Sequence, residues 1–487
     1  MTYLKDLREY MDALDKLGDL RVIDREVDPH LEVGAVIRRV YETKAPAPLF
    51  NNLKGSEPGY RLFGAPGGLS SAPGQPLARI ALSIGLDADA DARKIVETLA
   101  EARTRKPIEP VLVETGPVKQ NILLGDDASL DRFPTPLLHD GDGGPYVNTW
   151  GTIVARTPDG KFTNWSIARI MMIDEKTMTG LVLPGQHINH VWQQWVDIGQ
   201  PMPFALVQGG PPVLPIVSGM PLATGVEEGG YIGGLLGEPI ELVQCETVDL
   251  QVPATAEIVI EGHLSIERTA VEGPMGEFAG YVPSHTTMCP VYSIEAITHR
   301  DDPIWPTCVE GEPVDEFHTV TGLAAAAEGL AALRAAGLPV TTAWMPFDAA
   351  THLLVVSVAP DWRKQLPGVS TGELTQRIHD VIYAQRFTVT VPRLVVLDDD
   401  VDTSNVAELM WALATRVHPT KRRILQTAPI LPLLACYTLE ERHAASAEHV
   451  TYDALFPAID EGREPRASFR YNYPAEIQER VIAHWND

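Results

Sequence analysis

The sequence predicts a multidomain chain of mixed α+β and α/β class, and three observations predict it. Short β-rich runs broken by Gly/Pro turns replace a mixed helix and strand texture at about residue 116 and persist to about 310. An Ala/Leu-rich stretch at 321–336 forms the clearest helix. Beyond it, strand-like runs alternate with helical patterns. At 487 residues the chain is too long for one simple core. The expected divisions are 1–115 for an N-terminal α/β segment, 116–310 for a barrel or strongly bent sheet, 311–337 for a linking helix region and 338–487 for a C-terminal α/β domain.

In the N-terminal segment, Leu4, Leu7, Tyr10, Met11, Leu14 and Leu17 recur at helical spacing, and Gly18 stops that helix. Residues 20–24 read as a short strand. Val33, Val36, Ile37, Val40 and Tyr41 mark one face of a helix over 30–43. The Gly/Pro-rich stretch 64–76 reads as a surface loop, and helical patterns return around 77–84 and 90–103. In the middle region 152–155, 170–173 and 257–261 read as strands. The glycines of 229–237 do not fit Gly-x-Gly-x-x-Gly, and no Gly-Lys-Ser/Thr comes after them, which argues against a Rossmann or P-loop nucleotide site. Thr321 is placed to cap the long helix, which Gly337 and Pro339 end. Further on, 353–358, 394–397 and 430–434 read as strands, the last at best an edge strand because of Pro432. Helices are expected near 371–384 and 405–416, and an amphipathic helix at 474–486 suits packing on a partner subunit.

The net charge of −26 disfavours nucleic acid and anionic membrane surfaces as partners, since both draw on Lys and Arg. A hydrophobic content of 45% permits a large core that needs no metal or disulfide. Cys245, Cys289, Cys308 and Cys436 form no Cys-x-x-Cys pair, against a zinc ribbon or dithiol centre, and their use suits a reducing cytoplasm. The acid-bearing amphipathic start does not read as a signal peptide, and no apolar run reaches membrane-spanning length.

The stretch Asn164-Trp165-Ser166-Ile167-Ala168-Arg169 comes after a Pro-Asp-Gly turn and sets an amide, a hydroxyl and a guanidinium in otherwise apolar chain. Asn164, His187 and Glu228 offer an amide oxygen, an imidazole nitrogen and a carboxylate, a set better suited to Mn²⁺ or Mg²⁺ than to zinc. A structural role for His187 stays open, as do His190 and Glu227 as competing candidates. Glu272 and Glu277 sit in a Gly/Pro-rich turn among apolar residues. A buried carboxylate needs a partner or takes up a proton, and one in an apolar pocket serves as a general acid near neutral pH. Two exposed loop glutamates, or a structural salt bridge with Arg169, are the alternatives. Neither His-Glu-x-x-His nor Gly-x-Ser-x-Gly is present, and Ser218 lacks the nucleophile-elbow pattern.

Together with Ala45-Pro46-Ala47-Pro48-Leu49-Phe50, Gln186-His187, Gly229-Gly230-Tyr231-Ile232-Gly233, Glu272 to Tyr281 and Trp411-Ala412-Leu413-Ala414-Thr415-Arg416, that stretch resembles, in order and spacing along nearly the whole chain, the UbiD family of reversible decarboxylases, which use prenylated FMN. The nearest branch holds the ferulic (cinnamic-type) acid and pyrrole-2-carboxylate decarboxylases. The resemblance implies a split β-barrel flavin-binding domain in the middle and an α/β oligomerisation domain at the C-terminus of a cytoplasmic homodimer. It implies non-oxidative decarboxylation of an α,β-unsaturated or (hetero)aromatic acid through a cofactor–substrate adduct, loss of CO2 and protonation by a glutamate. Arg169, Glu272 and Glu277 look like the catalytic network, with Glu277 the proton donor. Asn164, His187 and Glu228 look like ligands of a Mn²⁺ or Mg²⁺ that holds the cofactor phosphate, with K⁺ as a further ion. Ser166, Ile167, Ala168, Gln186, Ser218 and Met220 fall at cofactor-contacting positions. Arg386 falls near a lysine used around the phosphate, a change that keeps the charge and alters the geometry. Leu183, Phe278, Phe317, Thr321 and Val389 would line the substrate pocket. A flavin prenyltransferase would supply the cofactor. A metal-dependent hydrolase built on Glu228 and His187, and a non-catalytic flavin-binding protein, are the rival readings.

Overall fold

The computed structural model describes residues 3–183, 185–223, 225–283, 286–456 and 466–485. The chain opens with the helix Leu7–Lys16, started by Asp6, whose side chain accepts from Glu9 N and so satisfies a free helix N–H. Its apolar face, Leu7, Tyr10, Met11 and Leu14, is buried. It packs on a four-stranded sheet of Leu20–Ile23, Ala47–Phe50, Arg61–Gly64 and Ile304–Thr307. The last strand comes from the far end of the middle region and pairs in parallel with Arg61–Gly64, so the N-terminal segment is stitched to the middle region by a shared sheet.

The stretch 64–76 is not a surface loop. From 64 to 72 it runs mostly through the interior, and it surfaces at Pro73, Gly74 and Pro76. Side chains satisfy its backbone, which is what lets irregular chain be buried. Tyr10 OH donates to Pro66 O at 2.6 Å, Arg79 Nη1 to Ala65 O at 3.1 Å and Thr319 Oγ1 to Gly67 O at 2.8 Å. A Cβ on Gly67 would lie 2.6 Å from the Trp150 ring, so glycine here serves close packing rather than a turn.

The middle region forms, among the described residues, a nine-stranded antiparallel sheet with Thr163–Ser166 at one edge. Its two longest strands, Ile258–Glu272 and Thr287–His299, pair with register shifts at Glu261/Gly262, Leu264/Arg268 and Arg268/Ala270. Such irregularities bend and twist a sheet, and they give it the open-barrel form. The glycine-rich run 229–237 folds largely into the helix Glu228–Leu236. Its glycines let the helix lie against another segment: a Cβ on Gly233 would fall 2.1 Å from Ile108 O.

The helix Gly322–Ala335 continues directly from a π-type turn, Phe317–Thr321. Thr321 is therefore inside helical backbone and makes no side-chain cap bond, which corrects the expectation of a helix start there. The C-terminal sheet runs Val340–Trp344, Leu353–Val358, Arg393–Asp398, Ser446–Asp453, Arg423–Pro429. The segment 430–434 is not a strand; the edge strand ends at Pro429, and Ile430 and Leu434 turn inward onto Phe278 and Ala447. Among the described residues no helix is long and apolar enough to cross a membrane.

Candidate active site

The edge strand Thr163–Ser166 and the irregular backbone after it carry functional groups to both ends of a cavity of about 360 Å³. Of the residues that the family resemblance assigns to the site, only Glu272 and Val389 stand outside the cavity wall. Glu272 lies behind Arg169. Val389 gives its backbone C=O to Leu431 N at 2.8 Å, and Leu431 lines the cavity in its place.

At one end Arg169 lies between two carboxylates. Its Nε and Nη2 each donate to one oxygen of Glu272 at 2.8 Å, a two-pronged match of planar groups. Its Nη1 donates to Glu277 Oε1. Neither glutamate is exposed: Glu272 is at 0% and Glu277 at 4%. This excludes the surface-loop alternative, while the salt bridge to Arg169 is present. Burial raises the proton affinity of Glu277, Arg169 opposes that rise, and the charge of Glu272 adds to it; the net shift is upward. Tyr146 OH donates to Glu272 Oε1 at 3.0 Å and fixes the far side of the fork.

The loop bearing Glu277 is clamped. Asp142 Oδ1 accepts from Gly276 N at 3.1 Å and Asp142 Oδ2 lies 3.0 Å from His139 Nδ1. His139 Nε2 donates to Glu310 O at 2.8 Å. Two further carboxyl groups, Glu310 and Glu316, line the same cavity. Burial, then the charges of Glu277 and Asp315, push Glu310 well above the usual carboxylate range. Burial lifts Glu316 to about 7, although Tyr41 OH and Gly67 N donate to it. Sequence reading missed Tyr146, His139, Glu310 and Glu316. The density of acids in Val309-Glu310-Gly311-Glu312-Pro313-Val314-Asp315-Glu316 was the one available signal.

At the other end Glu228 Oε1 accepts from Asn164 Nδ2 at 3.2 Å and Oε2 from Trp165 N at 2.8 Å. His187 Nδ1 lies 3.8 Å from Glu228 Oε1. His187 is the first residue of the helix His187–Asp197, and such a helix start favours an anion. Asn164 Oδ1 and Ser166 Oγ are buried with no hydrogen-bond partner. An orphaned buried acceptor beside a carboxylate and an imidazole fits a hard divalent cation. The competing candidates point elsewhere. Glu227 Oε1 accepts from Thr163 N at 2.7 Å, and His190 Nε2 pairs with Gln194 Nε2 along its own helix. Ser218 Oγ pairs with Thr152 Oγ1 at 3.0 Å, without an acid–base partner to activate it.

Between the ends the wall is largely apolar. Phe278 and Phe317 stack with centroids 3.9 Å apart, Leu431 and Leu433 pack in the same cluster, and Leu183 lines the same cavity.

Fold and sequence together define a carboxy-lyase. Residues 11–99, 110–313 and 318–442 match, in order, the N-terminal, Rift-related and C-terminal domains described for 3-octaprenyl-4-hydroxybenzoate carboxy-lyase. The chain belongs to the UbiD family. It is 40% identical to pyrrole-2-carboxylic acid decarboxylase of Pseudomonas aeruginosa, over 99% of this chain and 98% of that one. It is also 40% identical to ferulic acid decarboxylase 1 of Saccharomyces cerevisiae, over 99% and 97%. Among solved structures, the vanillic acid decarboxylase of Sedimentibacter hydroxybenzoicus in closed form superposes with a TM-score of 0.86 at 25% identity, over 100% of both chains. The UbiD-class enzyme HmfF of Pelotomaculum thermopropionicum in complex with FMN gives 0.82 at 26%, over 99% of this chain and 100% of that one.

Proposed function

We propose that this protein is a prenylated-FMN-dependent, non-oxidative and reversible decarboxylase of an α,β-unsaturated or (hetero)aromatic carboxylic acid. The observation that carries this reading is Arg169, held between two buried carboxylates at one end of a cavity whose other end offers cation and phosphate donors. A second HmfF structure, an evolved dimer, is in complex with prFMN, which supports the choice of cofactor for this relative.

Asn164, His187 and Glu228 would hold Mn²⁺ or Mg²⁺, with the helix start at His187 and Arg386 serving the phosphate. Ser166, Ile167, Ala168, Gln186, Ser218 and Met220 line the cavity where the flavin would lie. The bound cofactor would supply the sink for the electron pair left when carbon dioxide departs, which no side chain here can do. Arg169 orients the substrate carboxylate: its bonds to the glutamates use three of five N–H groups, and two remain. Glu272, braced by Tyr146, fixes the guanidinium. Glu277 keeps its proton to a higher pH than an ordinary glutamate and delivers it to the carbon that has lost carbon dioxide. Burial, with the charges of Glu277 and Asp315, raises the proton affinity of Glu310 on the same cavity wall, which disfavours a further negative charge beside an anionic substrate. Leu183, Phe278, Phe317 and Thr321 form a wall suited to a planar unsaturated or aromatic group. The divisions 1–115, 116–310, 311–337 and 338–487, a homodimer through the C-terminal domain, and supply of the cofactor by a flavin prenyltransferase complete the proposal.

The test is carbon dioxide release from a panel of unsaturated and heteroaromatic acids, using protein co-expressed with a flavin prenyltransferase. Release with a flavin-type visible spectrum is the expected result. A protein that takes up the flavin and turns over no acid would be a binding protein instead. Hydrolysis without a flavin would leave Glu228 and His187 as a metal hydrolase site.

A further inference from the structure

Arg386 opens the short turn Arg386–Thr390, just after the helix Thr371–Tyr383, and reaches from the C-terminal domain to the cavity mouth. Its Nη1 lies 2.7 Å from His187 Nε2, and its Nη2 donates to Gly185 O. A guanidinium only donates, so His187 Nε2 accepts and the ring hydrogen sits on Nδ1, the nitrogen 3.8 Å from Glu228 Oε1. In this arrangement neither ring nitrogen is free for a cation. Binding through Nε2 needs the lone pair that Arg386 holds. Binding through Nδ1 moves the hydrogen to Nε2, where it meets the guanidinium N–H. Either way Arg386 must leave. Its charge is permanent, and its planar fork matches a phosphate. The helix start at His187 is the nearby anion site.

We propose that Arg386 is an exchange latch: it rests on His187 in the cofactor-free protein and transfers to the cofactor phosphate when a divalent cation takes His187. The inference rests on the reading of Asn164, His187 and Glu228 as the cation ligands. It makes cation and phosphate load cooperatively, because the cation displaces Arg386 toward the phosphate and the phosphate draws Arg386 off the cation's ligand. By linkage the coupling is reciprocal.

The test is Mn²⁺ binding to the cofactor-free protein, measured by calorimetry and by the spin resonance of free Mn²⁺, with and without FMN as the phosphate-bearing probe. Arg386 is exposed, so Arg386→Ala leaves the fold intact. Without FMN, Arg386→Ala is expected to bind Mn²⁺ roughly tenfold tighter than the wild type. FMN is expected to tighten Mn²⁺ binding in both proteins, because the cation would itself meet the phosphate, and to tighten it clearly more in the wild type than in Arg386→Ala. Equal Mn²⁺ affinity of the two proteins without FMN, or equal tightening by FMN, overturns the latch. His187→Ala separates the two readings: if it binds Mn²⁺ as the wild type does, the cation site itself is misassigned and the latch falls with it. If it loses Mn²⁺ while Arg386→Ala matches the wild type, only the latch fails.

Discussion

The two ends of the cavity differ in how finished they are. At the carboxylate end, Arg169, Glu272, Glu277 and Tyr146 are joined by hydrogen bonds, and both glutamates are buried. At the other end, two buried oxygens lack partners, His187 is held by an exposed arginine, and a helix start opens toward the cavity. The contrast teaches a division of labour. Groups that stabilise charge during reaction work best when fixed beforehand, because no energy is then spent on reorganisation. Groups that take up a cation and a phosphate must exchange partners, and the incomplete set at the open end suits that proposed role.

The largest expected effect comes from breaking the finished end. Glu277→Gln keeps the shape and removes the proton, so kcat should fall on the order of 100-fold or more while the flavin spectrum persists. Full turnover with cofactor bound would remove Glu277 as the acid. His187→Ala should lose more metal affinity than the roughly 10–100-fold that removing a ligand's hydrogen-bond partner costs, and the flavin with it, measured by metal analysis and absorbance of the purified protein. Retention of both would show that the open end does not depend on this imidazole.

A smaller effect sharpens the comparison from within the finished end. Tyr146→Phe removes one hydrogen bond from buried Glu272, at a cost of about 1–3 kcal/mol. Thermal unfolding and kcat should both decline, with KM moving less, because Arg169 keeps both prongs on Glu272. An unchanged Tm would mean that this bond contributes nothing to the brace.

The smallest effect is a pH dependence of stability. Glu316 keeps its proton in the fold to about 7, because burial raises it, whereas the unfolded chain releases it in the ordinary glutamate range. Its stabilising share is therefore full in acid and is lost as pH rises toward about 7. Glu316→Gln should flatten the fall of Tm over that interval; an unaltered slope would assign the fall to other groups.

The helices Leu7–Lys16, Glu32–Thr43 and Thr371–Tyr383 were legible because an apolar stripe at helical spacing is a local property. The helix Glu228–Leu236 was not. Glycine disfavours a helix on its own, and only the approach of residues 106–110 makes that composition useful. The buried stretch 64–72 was misjudged for a related reason, since its backbone partners Tyr10, Arg79 and Thr319 are remote in sequence. Val389 and Leu431 show the same limit at the cavity wall: the resemblance points to Val389, but it lies in the turn Arg386–Thr390 and its backbone C=O holds Leu431 N, so that Leu431, from a segment further along the chain, lines the cavity instead.

By itself the sequence determined which groups were available for chemistry, their order, and the family pattern they make. Tertiary structure alone decided that they meet. Arg169 and Glu277 are 108 residues apart, Asn164 and Glu228 are 64, and Arg386 reaches His187 across 199. Proton affinity was decided at the same level. Whether a carboxyl is charged depends on the water and the cations around it, and these are fixed only when distant segments pack.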